Sequence, residues 1–97
     1  MELEEIAAKL QEEARTLSRQ APGADWYLFG SIIRRDPLPN DVDLLIVYEN
    51  DADAVTLRRG LANLSHFLPL HVLLLRKDEE KELDFIREEK ALRIFPS

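Results

Sequence analysis

Two acidic residues, Asp41 and Asp43, open an apolar run and are separated by a single residue. Alternate side chains of a β-strand share one face, so these carboxylates are expected to point the same way, about 7 Å apart along the chain. Carboxylate oxygens are ligands that Mg²⁺ prefers. Because an unpaired charge is costly in an apolar core, both side chains should open onto a solvent cleft or a metal ion.

A Gly-Ser pair, Gly30 and Ser31, precedes the acids and directly follows a short apolar strand at Asp25–Phe29. A helical turn is expected after it, at residues 32–35. Backbone N–H groups at such a turn can bind an anion, and the serine hydroxyl adds a further group. Together, the turn and the acids describe a site for a metal-bound nucleoside triphosphate. Taken separately, Gly-Ser is a common turn dipeptide, and an isolated Asp-x-Asp is often only a pair of acids at a strand edge.

The elements that must position these residues follow from periodicity and turn composition. Apolar residues recur at helical spacing over residues 3–17 and predict a first helix. Two prolines within residues 36–40 exclude regular structure there, so the next strand should begin near Asp41. Both faces of Val42–Tyr48 are apolar, which predicts a central strand covered on both sides.

The second half of the chain predicts a helix, a strand and a further helix. Asp51 and Asp53 are expected to cap a helix with an apolar stripe. The residues of that stripe are Ala54, Leu57, Leu61 and Leu64. A third strand is expected at residues 70–75, followed by a charged segment and a last helix with Leu83 facing inward. Leu92, Ile94 and Phe95 form an apolar tail with a possible closing strand. This order of elements predicts a small α/β domain with a mixed β-sheet flanked by helices.

Length and composition limit the class of protein. A chain of 97 residues is expected to form one domain, residues 1–97. It has no cysteine, which excludes disulfides and cysteine zinc sites and fits a reducing compartment. No apolar run is long enough for a membrane span, so a cytoplasmic protein without a membrane partner is expected. The net charge of −6 would repel a long phosphate backbone, and no duplex DNA partner is expected.

The chain resembles the minimal nucleotidyltransferase domains of the DNA polymerase β superfamily. The residues that carry the resemblance are Phe29-Gly30-Ser31 and Asn40-Asp41-Val42-Asp43-Leu44-Leu45-Ile46-Val47, and a weaker likeness extends over most of the chain. The resemblance implies transfer of a nucleoside monophosphate from a nucleoside triphosphate to a protein or RNA acceptor. It implies that Gly30 and Ser31 hold phosphates and that Asp41 and Asp43 are the catalytic residues, which bind Mg²⁺ or Mn²⁺. Arg34 is a further candidate for contact with phosphate.

One position departs from the family's pattern. A third carboxylate usually comes from the neighbouring strand, and in this chain His71 stands at that place. An imidazole would either tilt the site toward a softer ion such as Mn²⁺ or Zn²⁺ or leave it one ligand short. The simpler interpretation is a partly buried strand histidine with a hydrogen-bond partner. His66 has no recognised zinc spacing to His71 and is expected at the surface.

Three hypotheses about function stay open. The first is an active minimal nucleotidyltransferase, and the second is a catalytically impaired module of the same fold that binds a partner protein. The third is an unrelated α/β scaffold whose acids serve solubility alone. For the first two, the resemblance implies a small helical partner of the HEPN type, with this chain as the antitoxin of a toxin–antitoxin pair. The nucleotide, the acceptor and the oligomeric state stay open.

Overall fold

The computed structural model describes residues 3–34, 41–66 and 68–96, which form a four-stranded sheet flanked by helices. In chain order the elements are α1 (Leu3–Leu17), β1 (Asp25–Phe29), a 3₁₀ turn (Gly30–Ile32), β2 (Val42–Tyr48), α2 (Asp51–Leu64), β3 (Leu70–Arg76), α3 (Lys77–Leu83), α4 (Phe85–Glu88) and β4 (Leu92–Phe95). The loop predicted at residues 36–40 lies outside the described residues, as does Arg35. None of the described helices has the length and apolar character needed to cross a membrane.

The sheet has the strand order β3-β2-β1-β4. Strand β1 pairs antiparallel with both β2 and β4, whereas β2 and β3 run parallel. The mixed sheet predicted from the order of elements is therefore confirmed, with β2 inside it and buried along most of its length. The apolar tail supplies the closing strand, because β4 pairs with β1 at the edge of the sheet.

The two faces of the sheet pack against different helices. On one face Leu44 and Ile46 join the main core, to which α1 and α2 contribute buried residues such as Leu10 and Leu57. On the other face a smaller core is formed by Phe29, Leu45, Val47 and Leu75, with Phe85 and Ile86 of α4 packed against it. Because side chains alternate along β2, this two-sided burial explains why the strand is almost wholly apolar.

A glycine lets α1 and α2 approach each other closely. A Cβ atom added at Gly60 would overlap Cδ2 of Leu17 and would lie 2.9 Å from its Cδ1. Glycine is ordinarily unfavourable inside a helix. Its presence in α2 is explained by the space that Leu17 occupies at the helix contact.

The predicted cap of α2 was wrong, although the helix and most of its stripe are confirmed. Asn50 is the N-cap, and its side-chain Oδ1 accepts a hydrogen bond from the backbone N–H of Asp53 at 3.1 Å. The Asp53 side chain is only 6% exposed and belongs to the buried side of α2. Its Oδ2 has no hydrogen-bond partner among the described residues, and the positive end of the helix dipole favours a carboxylate at this position.

The last helix is divided into two, which corrects the prediction for Leu83. Asp84 has φ of 53°, a left-handed conformation that ends α3 before α4 begins. Because Asp84 interrupts the helix, Leu83 does not share a buried face with Phe85 and Ile86. Its side chain is 58% exposed, whereas those two residues pack against the smaller core.

Candidate active site

Three residues form a row across neighbouring strands at one end of the sheet. Asp43 of β2 is paired with Phe29 on β1 and with His71 on β3. These three residues, called here the site row, lie on the sheet face that carries the smaller core, because each alternates with residues that enter the main core. Phe29 ends β1, whereas Asp43 and His71 each stand second in their strands.

The Gly30 backbone lies directly against the Asp43 carboxyl group. A Cβ atom at position 30 would overlap Oδ2 of Asp43 and would lie 3.1 Å from its Cγ. Gly30 also has φ of 77°, a conformation that residues with a Cβ rarely adopt. Both constraints require glycine at position 30, directly beside one of the two predicted acids.

Asp43 and His71 are in direct contact through their side chains. The distance from Nδ1 of His71 to Oδ1 of Asp43 is 3.1 Å, and Nδ1 donates to the carboxylate when it carries the proton. The His71 side chain is 73% exposed and that of Asp43 is 22% exposed. The pair therefore opens to solvent, and the prediction that His71 is beside the acids holds for Asp43.

The turn after β1 fixes Ser31 and Arg34 close in sequence to the row. The backbone N–H groups of Ile33 and Arg34 donate to the carbonyl oxygen of Gly30 at 3.1 and 3.2 Å. Ile32 of this turn is buried in the main core and fixes the turn to it. Ser31 is partly exposed and Arg34 is exposed, so both are accessible to a ligand at this end of the sheet.

Asp41 occupies a different environment from Asp43. It is exposed and immediately precedes β2, whose first N–H, that of Val42, donates to the carbonyl oxygen of Pro69 at 2.8 Å. Within the described ranges, no three or more carboxylate, imidazole or thiol residues are grouped so as to hold a metal ion. The structure brings Gly30, Asp43 and His71 together, and Asp41 stands at the entry of the same strand.

The donor groups present nevertheless fit a divalent ion carried by a triphosphate. Mg²⁺ is usually held by one or two carboxylates, and phosphate oxygens and water complete its coordination. Asp43 supplies such a carboxylate, and it lies so close to the Gly30 backbone that a Cβ atom at position 30 has no room. Of the two predicted acids, Asp43 lies beside the Gly30 turn and His71, whereas Asp41 is exposed and precedes the strand.

Sequence reasoning missed the contribution of Phe29 to this site. Its ring packs edge to face on Phe85 of α4, with ring centroids 5.0 Å apart. This contact fixes the residue directly before Gly30 and joins the inner side of the site row to the smaller core. The aromatic residue before Gly-Ser was visible in the sequence, but its partner lies on an element whose position periodicity alone does not give.

The clearest pKa shifts lie elsewhere on the sheet. The Lys77 ammonium, by its hydrogen bond and then by its charge, lowers the pKa of Glu49, and Glu49 in turn raises the pKa of Lys77. Burial, followed by the charge of Asp25, raises the pKa of Tyr27. Glu49 directly follows β2, at the opposite end of that strand from Asp43, so its ion pair belongs to the fold rather than to the candidate site.

A groove of about 330 Å³ lies between α2 and β3, away from the site row. Its lining residues are Arg58, Leu61, Ala62, Ser65, Leu70, Val72 and Leu74. The residues that β3 contributes to the groove alternate with His71 and therefore face the opposite side of the sheet. The groove and the site row are separate features.

Comparison with known proteins gives one family and one fold. A family model described as a nucleotidyltransferase domain matches residues 7–95. A solved crystal structure named "putative nucleotidyltransferase" is 21% identical, with a TM-score of 0.59 over 88% of this chain and 96% of that chain, and at this identity it shows the fold. The curated proteins give no significant match. Because the family model spans nearly the whole sequence, the chain belongs to the nucleotidyltransferase domain family.

Proposed function

We propose that this chain catalyses metal-dependent transfer of a nucleoside monophosphate from a nucleoside triphosphate to a hydroxyl group of a protein or RNA acceptor. Membership of the nucleotidyltransferase domain family supports nucleotidyl transfer in general. The observation that carries the proposal is the contact between the Gly30 backbone and the Asp43 carboxyl at an open end of the sheet. In this proposal, the contact places the phosphate-binding turn next to the metal-binding acid at a solvent-exposed end of the sheet.

Each candidate residue has a chemical role in this proposal. The turn at Gly30 and Ser31 binds the outer phosphates, and Arg34 adds positive charge next to them. Asp41 and Asp43 hold the divalent ions, Mg²⁺ or Mn²⁺. When bound, these ions neutralise phosphate charge and polarise the phosphoryl group. The protein's own contribution is to position the α-phosphate beside the acids.

The proposed reaction is a substitution at the α-phosphorus of the triphosphate. The acceptor oxygen forms a bond to that phosphorus, and the bond to the oxygen that bridges to the β-phosphorus breaks. Pyrophosphate leaves with the bonding electron pair, and the proton of the acceptor hydroxyl is lost to solvent. Gly30 and Ser31 hold the leaving pyrophosphate, so the main contribution of the turn is orientation.

A second candidate function is that of a partner-binding module with impaired chemistry. Two observations favour it: His71 occupies the place of an acid, and the described residues contain no group of three metal ligands. In both candidates we extend the proposal to a HEPN-type protein partner, with this chain as the antitoxin of the pair. A partner would supply the acceptor in the first candidate and would be the only target in the second.

The proposal is tested by nucleotide transfer with a matched pair of variants. Purified protein is incubated with Mg²⁺ or Mn²⁺, labelled nucleoside triphosphates and candidate acceptors, including neighbouring gene products. Asp43→Asn is expected to abolish transfer without changing the free energy of unfolding by more than about 1 kcal/mol. Glu12→Gln removes the same charge at an exposed position of α1 and serves as the control. Undiminished metal-dependent transfer by Asp43→Asn would contradict the proposal.

The same experiment distinguishes the second candidate. A protein that forms a stable complex with a HEPN-type partner but transfers no nucleotide, with or without that partner, is a binding module. Co-expression followed by size-exclusion chromatography measures the complex. A protein that transfers nucleotide to its partner supports the first candidate.

A further inference from the structure

We propose that His71 is itself a metal ligand and that it makes the site favour a divalent transition-metal ion over Mg²⁺. This inference rests on the proposed function, because it concerns the ion that accompanies the triphosphate. It goes further in assigning a nitrogen ligand to this chain at the place where the resemblance implies a carboxylate. The starting observation is the contact between the His71 imidazole and the Asp43 carboxylate.

The distance between the two side chains suits coordination of one ion by both. Nδ1 of His71 and Oδ1 of Asp43 are 3.1 Å apart. Nitrogen and oxygen ligands that each lie about 2.1 Å from an ion, at right angles to one another, are about 3.0 Å apart. An ion can therefore replace the shared hydrogen bond without a large movement of either side chain.

The backbone holds the two side chains in this relation. Asp43 and His71 are paired in the parallel register of β2 and β3, so both side chains leave the same face of the sheet. His71 is 73% exposed, unlike a histidine that fills a core. Asp43 is its one hydrogen-bond partner among the described residues, which leaves the imidazole accessible to an ion that arrives with its phosphates.

The chemistry of the ligands determines which metal ion binds more tightly. Mg²⁺ prefers oxygen ligands, whereas an imidazole nitrogen favours transition-metal ions in the order of the Irving–Williams series. At this site one nitrogen stands beside a carboxylate, and phosphate oxygens complete the coordination in the proposal. We expect Co²⁺ to bind more tightly than Mn²⁺, and both to bind more tightly than Mg²⁺.

Pulsed electron paramagnetic resonance of bound Mn²⁺ tests the ligand directly. The full chain is loaded with Mn²⁺ and inorganic triphosphate, which contains no nitrogen, so that modulation from a directly bound ¹⁴N must come from the protein. The chain has two histidines. We expect the nitrogen signal in the native protein and in His66→Gln, and its loss in His71→Asp and His71→Gln.

Affinity for metal ions provides the second measurement. The preference for Co²⁺ over Mg²⁺, measured by calorimetry in the presence of inorganic triphosphate, should fall on the order of tenfold in His71→Asp and should be unchanged in His66→Gln. Mn²⁺ that binds with triphosphate but without a nitrogen signal overturns the inference and leaves the proposed function in place. Failure of Mn²⁺ and triphosphate to bind at all overturns both.

Discussion

Replacing Gly30 with alanine tests whether the glycine backbone and the Asp43 carboxyl are in contact. The substitution adds one carbon atom, in a backbone conformation with φ of 77°. That atom would overlap Oδ2 of Asp43. Asp43 would have to turn away, and its hydrogen bond to His71 would be lost. The substitution should therefore lower stability and disturb the site together.

Two contributions set the size of the effect. A residue with a Cβ costs about 1–2 kcal/mol in the left-handed backbone conformation. Displacing a packed neighbour to make room for one carbon costs a further 1–3 kcal/mol, roughly. We therefore expect Gly30→Ala to lower the free energy of unfolding by about 2–5 kcal/mol.

Gly23→Ala is a matched control, because it isolates the backbone contribution. Gly23 has φ of 85°, and a Cβ there would come no nearer than 3.8 Å to Glu49, an ordinary contact. Urea unfolding should show Gly30→Ala to be less stable than Gly23→Ala by roughly the collision cost of 1–3 kcal/mol. Adding Asp43→Ala to Gly30→Ala should recover that difference. Equal destabilisation by the two glycine substitutions, with no recovery, would show that the Gly30 backbone and the Asp43 carboxyl are not in close contact.

Three further predictions concern the fold. Gly60→Ala should destabilise the protein, because the new Cβ would overlap Leu17. This is the reverse of the usual effect, since alanine in a helix is about 1 kcal/mol more favourable than glycine. A higher melting temperature would contradict this contact. Asn50→Ala should cost about 1 kcal/mol in urea unfolding through loss of the cap hydrogen bond, and an unchanged midpoint would exclude that role. Lys77 lowers the pKa of Glu49 from its ordinary 4.5. The ion pair therefore stabilises the fold above pH 4.5. This small contribution is lost as the pH falls through the lowered pKa of Glu49. Glu49→Gln should reduce the change in the free energy of unfolding between about pH 6 and about pH 3, and an unchanged pH dependence would contradict this contribution.

Periodicity predicted the elements whose burial follows directly from their own residues. The helical spacing of apolar residues predicted α1, and Ile6, Leu10, Ala14 and Leu17 are buried in it. The apolar run of β2 after Asp43 predicted a strand covered on both faces, since only such a position buries consecutive residues. The two cores confirm this.

The failed predictions depend on local geometry that composition does not give. Leu83 fits a helical stripe with Phe85 and Ile86 only if the helix continues, and the left-handed Asp84 breaks it. Asp51 and Asp53 are both acceptable N-cap residues by type. Asn50 takes that position because the helix begins at Asp51, one residue earlier than a cap at Asp51 would require.

Only part of the arrangement of the predicted site residues follows from the sequence. His71 was expected beside the acids, and the parallel register places it opposite Asp43. The contact between Gly30 and Asp43 could not be predicted from the sequence, because it depends on the antiparallel register of β1 and β2. The number of residues between β1 and β2, which include residues 35–40, does not determine that register.

The proposed function requires a triphosphate and its metal ion to bind at the site row. The most direct test is a crystal structure of the protein with Mn²⁺ and a non-hydrolysable nucleoside triphosphate, with anomalous data collected at the manganese edge. We expect an anomalous peak about 2.0–2.6 Å from a carboxylate oxygen of Asp43, with the phosphates against Gly30 and Ser31. Nucleotide and metal bound elsewhere, for example in the groove between α2 and β3, would contradict it.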